Sequence, residues 1–138
     1  MTLSLDTNVF IQLLRGRDDT VRTRFVDALA AGQSLKTPLI VLHELLYGAE
    51  LCARPDAERE AVRLLLDCTE ITAFDARDMV AAARLRSAMK TAGRSMGAYD
   101  LLIAGQALAR RWTIVSGDAW AFAAVDGLDV IDWTAPAG

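Results

Sequence analysis

Short apolar runs alternate with longer helical patterns along this chain, and that alternation limits its fold more than any other feature. Strand-like stretches are predicted at Leu3–Leu5, Leu35–Thr37, Thr69–Ala73, Trp112–Val115 and Leu128–Ile131. Between them, apolar residues recur at helical spacing. Helices are predicted over Asn8–Leu14, from Asp18 to Gly32, from Pro38 through Ala49, over Pro55–Leu66, over Asp75–Thr91 and over Gly97–Ala109. Asp18-Asp19-Thr20 carries acids into a first helical turn, where they complement the helix dipole. Pro38 is read as opening its helix at the first turn, a position that tolerates proline. On that helix Leu42, Leu45, Leu46 and Ala49 mark the apolar face. Strands that alternate with helices imply a parallel sheet with helices on both faces, built from right-handed crossovers. The tail from Thr134 to Gly138 is expected to fray.

Ligands of such sheets bind outside the carboxyl ends of the strands. Two acids follow predicted strands directly: Asp6 after Leu3–Leu5, and Asp118 after Trp112–Val115. Glu44 and Asp100 sit on helices. A fold that gathers these four would concentrate negative charge, which is costly unless a cation binds there. Hard divalent cations prefer oxygen ligands. Each acid also has an ordinary reading. Asp6 could cap the helix after it. Glu44 alone reads as an exposed helix glutamate. Asp100 could be a first-turn aspartate, with Gly97 and Ala98 before it allowing close backbone approach. Asp118 could be a turn aspartate beside Ser116.

With 138 residues, 53% hydrophobic and 24% charged, the chain fits one globular domain over 1–138. No apolar run reaches membrane-spanning length, and the N-terminus lacks a secretory pattern. Cys52 and Cys68 stand in apolar helical surroundings without CxxC spacing, so they read as small buried hydrophobes in a reducing cytoplasm. The net charge of -3 argues against a general nucleic-acid coat protein. It leaves room for an enzyme that cuts nucleic acid, because acidic ligands lower the net charge while bound cations restore it locally.

Competing chemistries lack their residues. His43 is the only histidine, and neither an HExxH pair nor a GxSxG elbow accompanies it. It reads as structural or peripheral. P-loop and GxGxxG patterns are absent. Leu5-Asp6-Thr7-Asn8 does not fit a haloacid-dehalogenase phosphatase, which needs a second aspartate where Asn8 stands.

Leu5-Asp6-Thr7-Asn8, Glu44-Leu45-Leu46-Tyr47-Gly48, Gly97-Ala98-Tyr99-Asp100-Leu101-Leu102-Ile103-Ala104 and the ending Phe122–Trp133 together resemble the PIN-domain ribonucleases, specifically the VapC-type toxins of bacterial toxin–antitoxin pairs. The resemblance spans nearly the whole chain. It implies a three-layer α/β/α fold with a short, mostly parallel central sheet, dependence on Mg²⁺ or Mn²⁺, and endonuclease action on RNA. Asp6, Glu44 and Asp100 fall on the family's three principal acids, and Asp118 on its more variable fourth. Ser116-Gly117 replaces the usual threonine-asparagine before that fourth acid, and Ala121 stands where many relatives carry another acid. The resemblance also implies a homodimer and a small antitoxin partner.

On this reading Asp6, Asp100 and Asp118 hold an ion, and Glu44 is a ligand or a base that orients water. The ion lowers the pKa of bound water and offsets charge building on phosphate. Arg15, Arg17 and Arg94 are candidate RNA-backbone contacts, and Ser116 a candidate substrate-side residue. A PIN-like binding module without nuclease activity, or a phosphodiesterase directed at DNA, are the alternative functions.

Overall fold

A computed structural model describes residues 1–135 of the protein. Five strands form one sheet: β1 (Thr2–Leu5), β2 (Ser34–Pro38), β3 (Glu70–Thr72), β4 (Thr113–Ser116) and β5 (Val130–Asp132). Their order is β3-β2-β1-β4-β5, and every pairing is parallel. Six helices connect them: α1 (Thr7–Arg15), α2 (Asp19–Ala30), α3 (Leu39–Glu50), α4 (Pro55–Leu66), α5 (Ala76–Thr91) and α6 (Ala98–Arg110). A 3₁₀ turn over Ala119–Phe122 leads from β4 towards β5.

The strand order places the site. The chain steps outward from β1 to β2 to β3, then crosses back to β4 on the other side of β1. Right-handed crossovers put the connections for the two directions on opposite faces. The helices before β3 therefore cover one face and α5 with α6 the other, giving the α/β/α layering. The order reverses between β1 and β4, which is where a crevice opens at the carboxyl ends of such strands.

β1 lies at the centre, and Leu3, Ser4 and Leu5 are all buried. Continuous burial is expected of a strand covered on both faces. Leu3, Leu5, Phe10, Val41, Ile103, Ile114 and Phe122 form much of the core around it. Gly16 ends α1 in the left-handed region at φ 62, and its N–H donates to the Gln12 carbonyl at 3.0 Å. That geometry favours glycine. Asp78 is fully buried, accepts from Arg110 Nη2 at 2.7 Å and from Gln106, and joins the start of α5 to the end of α6.

Several elements differ from the sequence expectation. Pro38 ends β2 and caps α3 instead of forming its first turn. The buried face of α3 is Val41, Leu45 and Ala49, whereas Leu46 is exposed and lines an open cavity beside Val62 and Leu66 of α4. β5 begins at Val130, two residues later than Leu128. Cys68 is exposed and Cys52 only half-buried, so neither is a core residue. Their sulfurs sit against Leu64 and Gly48 carbonyls one helical turn back. Thr134 does not fray: its N–H donates to Asp132 Oδ1 at 2.8 Å. Residues 136–138 of the expected frayed tail lie outside the described residues. No helix among the described residues is long and apolar enough to cross a membrane.

Candidate active site

Asp6 stands one residue past β1, at the central crevice. Its N–H donates to the Val115 carbonyl at 3.0 Å, which carries the β1–β4 ladder to the rim. One carboxylate oxygen, Oδ1, accepts from the Thr7 N–H at 2.8 Å, and the other, Oδ2, from Ser116 Oγ at 3.0 Å. Asp6 is therefore the cap of α1, as its neighbours suggested, and also a buried anion facing the crevice. Burial pushes its carboxyl up from 3.8 to about 6. The bonds from Ser116 and Thr7 pull the other way, and the charges of Asp100 and Glu44 push it further up.

Glu44 reaches the same rim from the second turn of α3. Thr7 Oγ1 donates to Glu44 Oε1 at 2.8 Å and so ties the first turn of α1 to α3. Asp100 lies in the first turn of α6. Burial holds its carboxyl above the usual range, with Glu44 and then Asp118 adding to the rise. Asp118 follows β4, and its N–H donates to Ser116 Oγ at 2.9 Å. The four acids thus come from both sides of the strand-order reversal into one electrostatic neighbourhood. None of them forms an ion pair with a basic side chain among the described residues.

Close carboxylates without a cation repel one another. Among the described residues, no group of three or more acid, histidine or cysteine side chains is already placed to hold a metal ion. The acids interact through charge without meeting at a point. An all-oxygen, net-anionic set of this kind fits a hard divalent cation.

The other predicted residues are placed differently. Ser116 is fully buried and its hydroxyl is taken up by Asp6 and the Asp118 N–H. It positions two acids and has no surface to offer a substrate. Arg15 closes α1 at the end opposite Asp6 and pairs with Glu58 at 3.4 Å. Arg17 is exposed in the loop beyond it. Arg94 lines a basic cavity of about 580 Å³ with Arg86, Lys90, Ala98 and Leu101, and none of the four acids lines it. His43 is exposed, with its ring edge-on to Tyr99 at 5.8 Å.

Close packing falls at Gly117, not at Gly97. A Cβ on Gly97 would lie 3.7 Å from Asp100 Oδ2, an ordinary contact. A Cβ on Gly117 would lie 2.8 Å from Asn8 Oδ1. Thr7 is a site residue whose role the sequence reading missed, and Asn8 packs against the Gly117 turn that precedes Asp118. Their one signal was position, directly after Asp6 in the same short segment.

A doubly covered parallel sheet with carboxylates that lack basic partners at its switch point is the architecture and candidate site against which relatives can be compared. Residues 3–128 match the PIN domain. Among curated proteins, the chain is 30% identical over 130 residues to the tRNA(fMet)-specific endonuclease VapC of Shigella flexneri, covering 94% of this chain and 96% of that one. Among solved structures, it superposes on VapBC2 from Rickettsia felis, bound to a DNA fragment from its promoter, with a TM-score of 0.90. That match has 26% identity and covers 96% of this chain and 99% of the other. VapBC-5 of the VapBC toxin–antitoxin family from Mycobacterium tuberculosis matches with a TM-score of 0.72 at 30% identity, covering 95% and 96%. The chain belongs to the PIN-domain family, within its VapC-type group.

Proposed function

We propose that this chain is the toxin of a toxin–antitoxin pair, an endoribonuclease that hydrolyses RNA phosphodiester bonds with Mg²⁺ or Mn²⁺. The observation that carries this reading is the convergence of Asp6, Glu44, Asp100 and Asp118, without a basic partner, at the switch point of a PIN fold. Asp6, Asp100 and Asp118 hold the cation, with Glu44 a further ligand or the group that orients water. A bound divalent cation supplies a water of lowered pKa and offsets charge developing on the phosphate. The chain's own residues do the positioning. Ser116 fixes Asp6 and the backbone of Asp118, and Thr7 fixes one oxygen of Glu44. Arg94, beside Arg86 and Lys90, supplies the contact to the RNA backbone. Arg15 and Arg17, at the far end of α1, lie away from that path.

The likeness to chains solved as VapBC complexes supports a cognate antitoxin as partner, and we propose a homodimer as the working unit. The experiment is expression without the antitoxin, paired with cleavage by the purified chain. Growth should arrest, and Asp6→Ala or Asp100→Ala should relieve the arrest at equal protein level. RNA should be cut in Mg²⁺ or Mn²⁺ and spared in excess chelator, while matched DNA survives both. Full toxicity of either variant, or full activity in chelator, contradicts the proposal.

A further inference from the structure

Beside the acids lies a second feature that the hydrolytic chemistry leaves unused. A cavity of about 560 Å³ is lined by Thr7, Ile11, His43, Glu44, Tyr47 and Tyr99. It shares Glu44 with the acid centre. Its aromatic walls are fixed to the acids by the chain itself. Tyr99 immediately precedes Asp100 on α6, and Tyr47 follows Glu44 by three residues on α3, on the same helix face. The two tyrosines are 62% and 39% exposed, for Tyr47 and Tyr99 respectively, so their rings are open to a ligand and do not fill the core. His43 meets Tyr99 edge-on at an interplanar angle of 79°, which sets the ring's orientation. No hydrogen bond among the described residues employs either tyrosine hydroxyl.

Given the RNA-cleaving reading above, on which this inference rests, we propose that this cavity is a nucleobase subsite. Tyr47 and Tyr99 stack the base of a nucleotide next to the scissile phosphate, and His43 braces Tyr99. Single-stranded RNA is gripped in this way wherever unstacked bases meet aromatic side chains. Stacking needs a ring face but no fixed hydrogen-bond pattern, so the subsite admits any base and adds grip without reading sequence. Its place also gives it a mechanical role. A base held in the cavity holds the attached phosphate beside Glu44, the acid that lines it.

The test is equilibrium binding to the full chain carrying Asp100→Asn, which blocks turnover, in the presence of Mn²⁺. The probes are a short fluorescein-labelled single-stranded RNA and an abasic ribose-phosphate oligomer of the same length. The RNA should bind about tenfold more tightly than the abasic oligomer, the gain that base–aromatic stacking supplies. Tyr47→Ala or Tyr99→Ala should erase most of that difference, and Phe at either position should restore it. Affinity for the abasic oligomer should move little, because backbone contacts are untouched. If the alanine variants keep the full preference for bases, the subsite does not exist. If they keep it but lose binding of the antitoxin, the cavity belongs to the protein partner. Failure of the chain to bind either oligomer, together with a wild type that cuts no RNA, overturns the parent reading as well.

Discussion

The Ser116 hydroxyl sits between two acids, donating to Asp6 Oδ2 at 3.0 Å and accepting from the Asp118 N–H at 2.9 Å. One buried side chain thereby sets the position of two acids from different strands. Ser116→Ala removes a donor from a buried carboxylate and leaves the Asp118 N–H without its acceptor. Leaving such groups unpaired costs about 1–3 kcal/mol. Thermal melting near neutral pH should register that loss. The Asp6 carboxyl should also titrate higher, because the bond from Ser116 favours its charged form. Activity should fall through kcat. A rise in KM alone would mean that Ser116 meets substrate directly.

The raised carboxyl of Asp6 makes stability depend on pH in a defined window. It titrates at about 6 in the fold against 3.8 for a free aspartate. Between those values the unfolded chain has lost this proton and the native state retains it, so unfolding becomes easier as pH rises. In chelator, stability should therefore decline from about pH 4 to about pH 6 and level off above, by roughly 3 kcal/mol from this group. Asp100, also raised, adds to the same trend. Asp78 acts in a separate window. Burial tends to raise its carboxyl, but the bond from Arg110 and its other partners hold it below the usual range. The stability Asp78 contributes is present above the usual carboxylate pKa and is lost as pH falls through its depressed value. Asp6→Asn should flatten the upper slope. A wild-type curve that climbs from pH 4 to 6 in chelator would contradict the buried, uncompensated state of Asp6.

Two glycines should respond to alanine with opposite signs. A Cβ on Gly105 of α6 would lie 2.7 Å from Ala82 Cα on α5 and 2.8 Å from its backbone N. Backbone cannot swing aside as a side-chain tip can, so α5 and α6 must part. Overpacking of that kind costs about 1–3 kcal/mol. Gly48 of α3 meets nothing within 4 Å and has no positive φ. Alanine there should stabilise by up to about 1 kcal/mol through helix propensity. Denaturant melts of the two variants check both signs.

Much of the fold was legible because alternating strands and helices leave few topologies open. Asp6 and Asp118 could be placed on the rim from their position after strands, before any contact was known. Glu44 and Asp100 could not, since an acid on a helix reads equally well as a solvated charge or a dipole partner. Their grouping came with the family resemblance, and the charge coupling in the structure agrees with it. The bond from Thr7 to Glu44 spans 37 residues and has no local signature. The same holds for Asn8 against Gly117. The cysteines misled because Cys52 and Cys68 stand in the turns just past the ends of α3 and α4, and apolar neighbours in sequence do not say where a helix stops. For α3 the covering elements are α4, α1 and the β2–β3 side of the sheet, and no local pattern in α3 says where they will lie.

The central claim is that the acids form one cation site, and thermal melting of wild type and Asp100→Asn, in chelator and in Mn²⁺ or Mg²⁺, tests it most directly. Without metal, removing the Asp100 charge relieves repulsion with Glu44 and Asp118, so Asp100→Asn should melt at or above wild type. With free metal at ~100 times its dissociation constant, wild type should gain roughly 2.7 kcal/mol. The variant should gain clearly less. A helix-dipole aspartate predicts the reverse, a loss of about 0.3–1 kcal/mol on mutation and no response to metal. If Asp100→Asn is less stable in chelator and metal shifts both proteins equally, Asp100 does not belong to a metal site.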